Sequence, residues 1–151
     1  LRAIDAGETL NIRSPNALRP WQHVLEPVLG YLMLAERLCE KKEVFADAWN
    51  FGPNDEDMKS VRWIVGQLCS HIPEASWRTE TKQQLHEAVL LKLDNSKAKV
   101  DLGWSPRWNI ETALTKTVEW HQAWKEKEDL DRLTTMQISE FQGTHNEGRL
   151  Q

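Results

Sequence analysis

Residues 9–39 read Thr9-Leu10-Asn11-Ile12-Arg13, then Ser14-Pro15-Asn16-Ala17-Leu18-Arg19-Pro20, then Trp21-Gln22-His23-Val24-Leu25-Glu26-Pro27-Val28-Leu29-Gly30-Tyr31-Leu32-Met33-Leu34-Ala35-Glu36-Arg37-Leu38-Cys39. This stretch decides the fold because its hydrophobic period changes from two to nearly four. Thr9–Arg13 alternates and is rich in strand formers, which predicts a short strand. Ser14–Pro20 carries two prolines and reads as a loop. From Val24 to Cys39, Val24, Leu25, Val28, Leu29, Leu32, Ala35 and Leu38 recur at three- and four-residue spacing, which predicts a long helix with one apolar stripe. Pro27 falls in its first turns, where a missing N–H costs little.

Outward from this strand–loop–helix, the same alternation continues. Leu1–Gly7 reads as the last turns of a helix stopped by Gly7. Phe45–Phe51 reads as a strand ended by Gly52-Pro53. Asn54 is placed to cap a helix whose first turn carries Asp55, Glu56 and Asp57 and whose stripe is Met58, Val61, Val65, Leu68 and Ile72. Ala75–Arg78 and Val89–Leu93 are strand candidates. Asp94 or Asn95 opens a short helix ending at Gly103. Asn109 caps a helix from Ile110 to Lys127 with Ala113, Leu114, Thr117, Val118, His121 and Trp124 inward, and Leu130–Phe141 forms one more. Gly143–Gln151 has no apolar pattern and is expected to be a disordered tail after a domain spanning 1–142. The fold class is α/β, with an α+β-like, mostly helical character. Its strands are short and too few for an independent doubly wound sheet, so they make sense as additions to a parallel sheet supplied elsewhere.

Composition narrows the function classes. The chain has 151 residues, 40% hydrophobic and 28% charged, with a net charge of −4. Lysines and arginines are dispersed among acids, which argues against a nucleic-acid partner. No apolar run approaches the ~20 residues needed to span a bilayer, and no signal peptide opens the chain. A cytoplasmic protein without a membrane partner is expected. Cys39 and Cys69 have no metal-ligand spacing around them and read as two buried free thiols. His71, His121 and His145 likewise show no ligand spacing, so no metal site is assigned. Eight tryptophans accompany a single tyrosine; such large side chains belong in the core or in cleft walls. Trp104 and Trp108, flanking Ser105-Pro106, read as anchors, and Trp21 and His23 read as core or cleft wall, with packing the commoner role. The first residue is Leu1 rather than Met, which reads as a truncated chain.

Arg19 is the residue whose chemistry stands out. A guanidinium presents a rigid fork of donors matched to phosphate, and a helix N-terminus nearby adds backbone donors. On spacing alone, a loop arginine is more often a solvated or ion-paired surface group.

Four segments in order bring a resemblance. Arg19-Pro20-Trp21-Gln22-His23-Val24-Leu25-Glu26, Trp49-Asn50-Phe51-Gly52, Leu93-Asp94-Asn95-Ser96-Lys97-Ala98 with Leu102-Gly103-Trp104-Ser105-Pro106, and Thr117-Val118-Glu119-Trp120 resemble elements of the extended short-chain dehydrogenases that act on nucleotide sugars, a Rossmann-type epimerase/dehydratase superfamily. The wording around Arg19–Pro27, Gly30-Tyr31-Leu32, His86-Glu87-Ala88, Leu91–Asp94 and Thr135-Met136-Gln137-Ile138 is similar to its CDP-glucose 4,6-dehydratase branch. The resemblance runs from Leu1 to about Gln142.

What the resemblance implies is the C-terminal, substrate-binding part of such an enzyme. In the full-length enzyme, tightly bound NAD takes hydride from C4 of the hexose, water leaves across C5 and C6, and hydride returns to C6. The product is a 4-keto-6-deoxy sugar for deoxysugar and lipopolysaccharide O-antigen biosynthesis. Arg19 is implied as the diphosphate ligand and Asn50 as a second substrate-side contact, with a local turn role equally open for Asn50. Asn11, Ile12 and Arg13 are implied to line the base and ribose, though Arg13 departs from many relatives. His86 falls where relatives contact phosphate or ribose; Glu87 beside it would repel a diphosphate. The chain has no G-x-x-G-x-x-G loop for NAD, and Tyr31 is followed by Leu-Met-Leu-Ala, so there is no Tyr-x-x-x-Lys pair. No catalytic and no cofactor-binding residue is therefore assigned here, and the fragment alone is not expected to turn over substrate. The full-length enzyme is expected to be a homo-oligomer. The alternatives are another epimerase or dehydratase acting on UDP-, GDP- or dTDP-sugars, a non-catalytic nucleotide-binding module, and a fragment exposing the face normally packed on a cofactor domain.

Overall fold

The computed structural model describes residues 1–40, 42–80 and 90–147. The chain forms two compact units, one of Leu1–Pro20 with Met58–Lys92 and one of Trp21–Asp57 with Leu93–Gln151. Helices dominate, and the strands form a pair of two-stranded sheets, the short-stranded, mostly helical α/β character that the sequence predicts.

In the first unit, helix α1 (Arg2–Asp5) is a single turn, followed by Gly7 at φ 69°. That left-handed conformation suits glycine and ends the helix where expected. Strand β1 (Leu10–Ile12) pairs in parallel with β4 (Trp77–Thr79), setting Leu10 opposite Trp77, Asn11 opposite Arg78 and Ile12 opposite Thr79. Strand β2 (Leu18–Arg19) pairs antiparallel with β3 (Lys59–Ser60). Arg19 thus sits on a strand rather than in the predicted loop, because Leu18 and Arg19 find ladder partners before Pro20. Ser60 caps helix α4 (Val61–His71), its hydroxyl accepting the Trp63 N–H at 3.2 Å. The helix expected to start at Asn54 begins only here, and Asp55–Asp57 makes an isolated 3₁₀ turn. The Asp57 carboxylate is taken by another backbone group, the Ile110 N–H. Ile4, Ala17, Ile64, Val65 and Ile72 form the buried residues of this unit. Of the predicted strand 89–93, Val89 lies outside the described residues, and the rest reduces to a parallel bridge between Leu90 and Leu18.

In the second unit, helix α2 (Leu25–Glu40) matches its predicted span, but its buried face does not match the predicted stripe. Val24, Val28 and Leu32 are 65%, 40% and 64% exposed, whereas Glu26 and Gly30 are buried. A Cβ on Gly30 would stand 2.4 Å from the Phe51 ring, so only glycine admits this approach. Phe45–Phe51 is not a strand: helix α3 (Lys42–Phe45) precedes an extended segment without a ladder. Trp49 stacks on Phe45, and its Nε1 donates to the Phe45 carbonyl at 3.0 Å. These aromatics are satisfied by local stacking, so no neighbouring strand is needed.

Phe51, Ala98, Leu102 and Trp104 form the core of this unit, with Leu29, Met33 and Leu34 packed on it. The helix expected after Asp94 is mainly a π-helical turn, Ala98–Leu102, closed by Gly103 at φ 72°. Asn109 caps helix α5 (Ile110–Glu126) as predicted, accepting the Thr112 N–H at 2.9 Å. Ala113, Leu114, Val118 and His121 are buried on it, while Trp124 is exposed rather than inward. Helix α6 (Leu130–Glu147) extends beyond Phe141 and takes in Gly143–Glu147, which corrects the expectation of a disordered tail from Gly143. Lys116 ties α5 to α6 by an ion pair to Glu140 at 2.8 Å and pairs with Glu119 on its own helix at 3.2 Å. The Glu140 carboxylate holds the Lys116 ammonium above its ordinary range; burial opposes it, and Glu119 adds a smaller upward push. Cys39 is exposed and Cys69 half-buried, both free, which corrects the expectation of two buried thiols.

Candidate nucleotide-sugar site

In the first unit, the short sheets gather the polar residues singled out in the sequence. Arg19 stands directly opposite Lys59 across the β2–β3 pair. Arg19 Nη1 donates to the Leu18 carbonyl at 2.9 Å, which fixes the guanidinium close to its own strand. Lys59 Nζ lies 5.4 Å from the Trp63 ring centroid, a cation–π distance. Like charges directly opposite each other weaken a sheet pair. An anion bound across both would offset that cost, which makes the pair chemically suited to a diphosphate. Lys59 is not singled out by the sequence, because its motif neighbours Asp55–Met58 read as a helix start.

Of the base-lining candidates, Asn11 and Ile12 lie on β1 and Arg13 follows its end. Asn11 Oδ1 accepts from Arg78 Nε at 2.7 Å. Ile12 is half-buried and Arg13 exposed. His86 lies outside the described residues.

The second unit holds Asn50, whose Nδ2 donates to the Asp94 carbonyl at 3.2 Å. That contact is the local backbone role weighed for it. The first-turn N–H of Leu25 is taken by His23 Nδ1 at 3.3 Å, so the start of α2 does not offer that donor to a phosphate. His23 itself packs edge-on against Trp108 with ring centroids 5.0 Å apart. Burial holds its imidazole below the usual histidine range. It also lines a cavity of about 370 Å³ with Val24, Thr117, Trp120 and Gln137. The cleft-wall and packing roles considered for His23 therefore coincide.

Two buried carboxylates were missed in the sequence. Glu26 accepts the Arg107 and Trp108 backbone N–H groups, and Asp57 accepts that of Ile110 at 2.9 Å. Trp104 Nε1 adds a bond to the Glu26 carbonyl at 3.1 Å. Together they hold the segment that leads into α5, which makes Trp104 and Trp108 the anchors they were expected to be. The only sequence signal was a charged residue between Leu25 and Pro27 in an otherwise apolar stretch.

The strand that runs straight into a helix, β3 into α4, turns at Ser60, whose hydroxyl receives the Trp63 N–H. Among the described residues there is no His, Cys, Asp and Glu cluster able to hold a metal, and no helix is long and apolar enough to cross a membrane.

No protein-family model matches the chain. It is 43% identical over 142 residues to CDP-glucose 4,6-dehydratase of Salmonella typhimurium, covering 93% of this chain and 40% of that protein. Its fold is similar to that of dTDP-glucose 4,6-dehydratase from Bacillus anthracis, a crystal structure in complex with NAD. The TM-score is 0.58 at 19% identity, over 87% of this chain and 40% of that one. UDP-N-acetylglucosamine 4-epimerase from Bacillus cereus aligns with a TM-score of 0.47 at 18% identity, over 75% of this chain and 38% of that one. The chain thus spans about 40% of the length of the curated relative it matches. Over those 142 residues it is a relative of CDP-glucose 4,6-dehydratase, and its fold is that of part of a nucleotide-sugar dehydratase.

Proposed function

We propose that residues 1–142 belong to the nucleotide-sugar-binding portion of an NAD-dependent CDP-glucose 4,6-dehydratase. The observation that carries this reading is the 43% identity over 142 residues. NAD binding and the hydride chemistry belong, in this proposal, to the part of the longer enzyme with no counterpart here. The proposal also includes a cytoplasmic location and a homo-oligomeric full-length enzyme.

In this reading Arg19 and Lys59 bind the diphosphate, and Asn11, Ile12 and Arg13 line the base and ribose. The support is the cross-strand pairing of the two cations and the place of Asn11 and Ile12 on β1, with Arg13 next in the chain. Asn50 is engaged with Asp94, and His86 lies outside the described residues, so the reading rests on neither.

Calorimetric titration of the protein with CDP-glucose tests it. Saturable binding is expected, and Arg19→Ala should weaken it roughly 10- to 100-fold, the worth of one charge-assisted hydrogen bond. No binding of CDP-glucose, or an unchanged affinity in Arg19→Ala, overturns the assignment.

A further inference from the structure

The cavity of about 370 Å³ at the start of α2 lies within the second unit, with α5 and α6 supplying its other walls. Val24, Leu25, Trp120 and Ile138 make it apolar and give it one indole face. Two buried polar side chains stand among them, His23 and Gln137, 8% and 4% exposed. The Leu25 N–H donates to His23 Nδ1 at 3.3 Å, so the lone pair is on Nδ1 and the ring proton is on Nε2. Among the described residues no group accepts from this Nε2–H. Gln137 Nε2 donates to the Lys116 carbonyl at 3.0 Å and to a Glu119 carboxylate oxygen at 3.3 Å. Both partners are acceptors, which fixes the amide and leaves Oε1 as the end it can offer. Two hydroxyls complete the wall. Thr117 donates to the Ala113 carbonyl at 2.7 Å and Thr134 accepts from Trp120 Nε1 at 3.1 Å, so Thr117 keeps an acceptor and Thr134 a donor. A buried N–H without an acceptor is costly and rare in native proteins. His23 therefore marks a place where an acceptor belongs.

We infer that this cavity binds a small, uncharged aromatic molecule carrying a hydroxyl or an amide, seated against Trp120 with its oxygen accepting from His23 Nε2. A hydroxyl suits the wall because it can accept from His23 and donate to Gln137 or Thr117. The walls exclude an ion. Burial keeps the His23 imidazole below the usual histidine range and so uncharged near neutrality, and no Lys, Arg, Asp or Glu lines the cavity among the described residues. Burying an unpaired charge among apolar side chains costs far more than one hydrogen bond returns. The volume lies at the small end of ligand pockets, roughly 300–1,000 Å³, which suits two fused rings. Val24 and Ile138, 65% and 38% exposed, stand at its open side. None of the residues assigned to the nucleotide sugar lines this cavity.

The test is a set of titrations of the whole chain with 2-naphthol, naphthalene and 2-naphthoate, followed by the Trp120 indole N–H resonance in proton–nitrogen NMR spectra. 2-Naphthol should bind saturably and about tenfold more tightly than naphthalene, the worth of one hydrogen bond to an otherwise unpaired donor. 2-Naphthoate, which carries a charge, should bind about tenfold or more weakly than 2-naphthol. His23→Asn keeps an acceptor for the Leu25 N–H, but its shorter side chain does not carry a donor to the place of Nε2. It should bring 2-naphthol down to the affinity of naphthalene. Ile138→Trp fills the open side from an exposed position and should abolish the binding of both. Circular dichroism checks the fold; if His23→Asn fails to fold, Ile138→Trp carries the test. Equal affinity for 2-naphthol and naphthalene, preference for 2-naphthoate, or binding that survives in folded Ile138→Trp overturns the inference. So does absence of binding, including the case in which sedimentation shows a dimer that Ile138→Trp breaks, because the cavity is then a contact between copies. CDP-glucose affinity should be the same in all three proteins, so the nucleotide-sugar reading stands or falls separately.

Discussion

Glu26 accepts the backbone N–H of Trp108 at 2.8 Å across 82 residues of sequence, with its side chain wholly buried. Its two oxygens also share the Arg107 N–H, each at 3.1 Å. A carboxylate can be buried so completely only when its lone pairs are met, and here backbone donors meet them. Glu26→Ala removes the acceptor and leaves these N–H groups unpaired. A loss of roughly 2–4 kcal/mol is expected, one desolvated donor being worth about 1–3. Urea unfolding measures it, and a loss below about 0.5 kcal/mol would show that water replaces the carboxylate.

The pH dependence of stability should show two opposing contributions from neighbouring turns of the chain. Burial pushes the Glu26 carboxyl up, more than the Trp108 and Arg107 N–H groups pull it down. A raised folded-state acid binds its proton more readily than the unfolded chain does. Its contribution is therefore full below the ordinary glutamate range and is lost as pH rises through the folded value. Burial pushes His23 down, so its contribution is present above the ordinary histidine range and is lost as pH falls through the folded value. Thermal unfolding of Glu26→Gln and of His23→Asn over about pH 4 to 8, a range that spans the ordinary values of roughly 4.3 and 6.5, separates the two. Relative to the unaltered protein, Glu26→Gln should flatten the carboxylate region and His23→Asn the histidine region. Asparagine retains an acceptor for the Leu25 N–H, so the cap is kept. Parallel profiles for all three proteins would discount both assignments.

What was legible in the sequence follows from how local each cause is. Helix α5 was legible because Asn109 and its apolar period lie within the helix itself. The span of α2 was legible for the same reason. Its buried face was not, because the partners that allow Glu26 inward are the backbone groups of Arg107 and Trp108. Phe45–Phe51 has the composition of a strand, but a strand needs a neighbour, and Trp49 settles instead on Phe45. The pairing of Arg19 with Lys59 was not legible, because the two are far apart in sequence and meet only through the β2–β3 register.

Gly30 tests the packing of α2 directly. Its missing Cβ lets the Phe51 ring lie where a methyl carbon would be 2.4 Å away, closer than real contacts allow. Alanine favours the helix by about 1 kcal/mol over glycine, but the ring must move, and overpacking costs typically 1–3 kcal/mol. Gly30→Ala should therefore destabilise the protein, whereas the same change in a Phe51→Ala background should stabilise it. A double-mutant cycle by urea unfolding checks this sign reversal. Additive effects of the two substitutions would mean that the ring relaxes without cost.

Lys59 admits two roles with different readouts. If its charge serves contacts within the protein such as Trp63, 5.4 Å away, and no ligand, then Lys59→Met lowers stability by up to about 1 kcal/mol and leaves ligand affinity alone. If Lys59 acts with Arg19, its partner across β2–β3, then losing it relieves the like-charge opposition and weakens anion binding. The second outcome is expected: CDP-glucose affinity should fall about tenfold in Lys59→Met, while the melting temperature holds or rises. Salt sharpens the distinction, because the contact of an anion with this half-buried cation pair is still partly screened. Raising NaCl from 50 to 500 mM, a range over which the screening length falls from roughly 14 to 4 Å, should weaken the unaltered protein's binding more than that of Lys59→Met. Equal salt dependence in the two proteins would remove Lys59 from the diphosphate contact and leave that contact to Arg19.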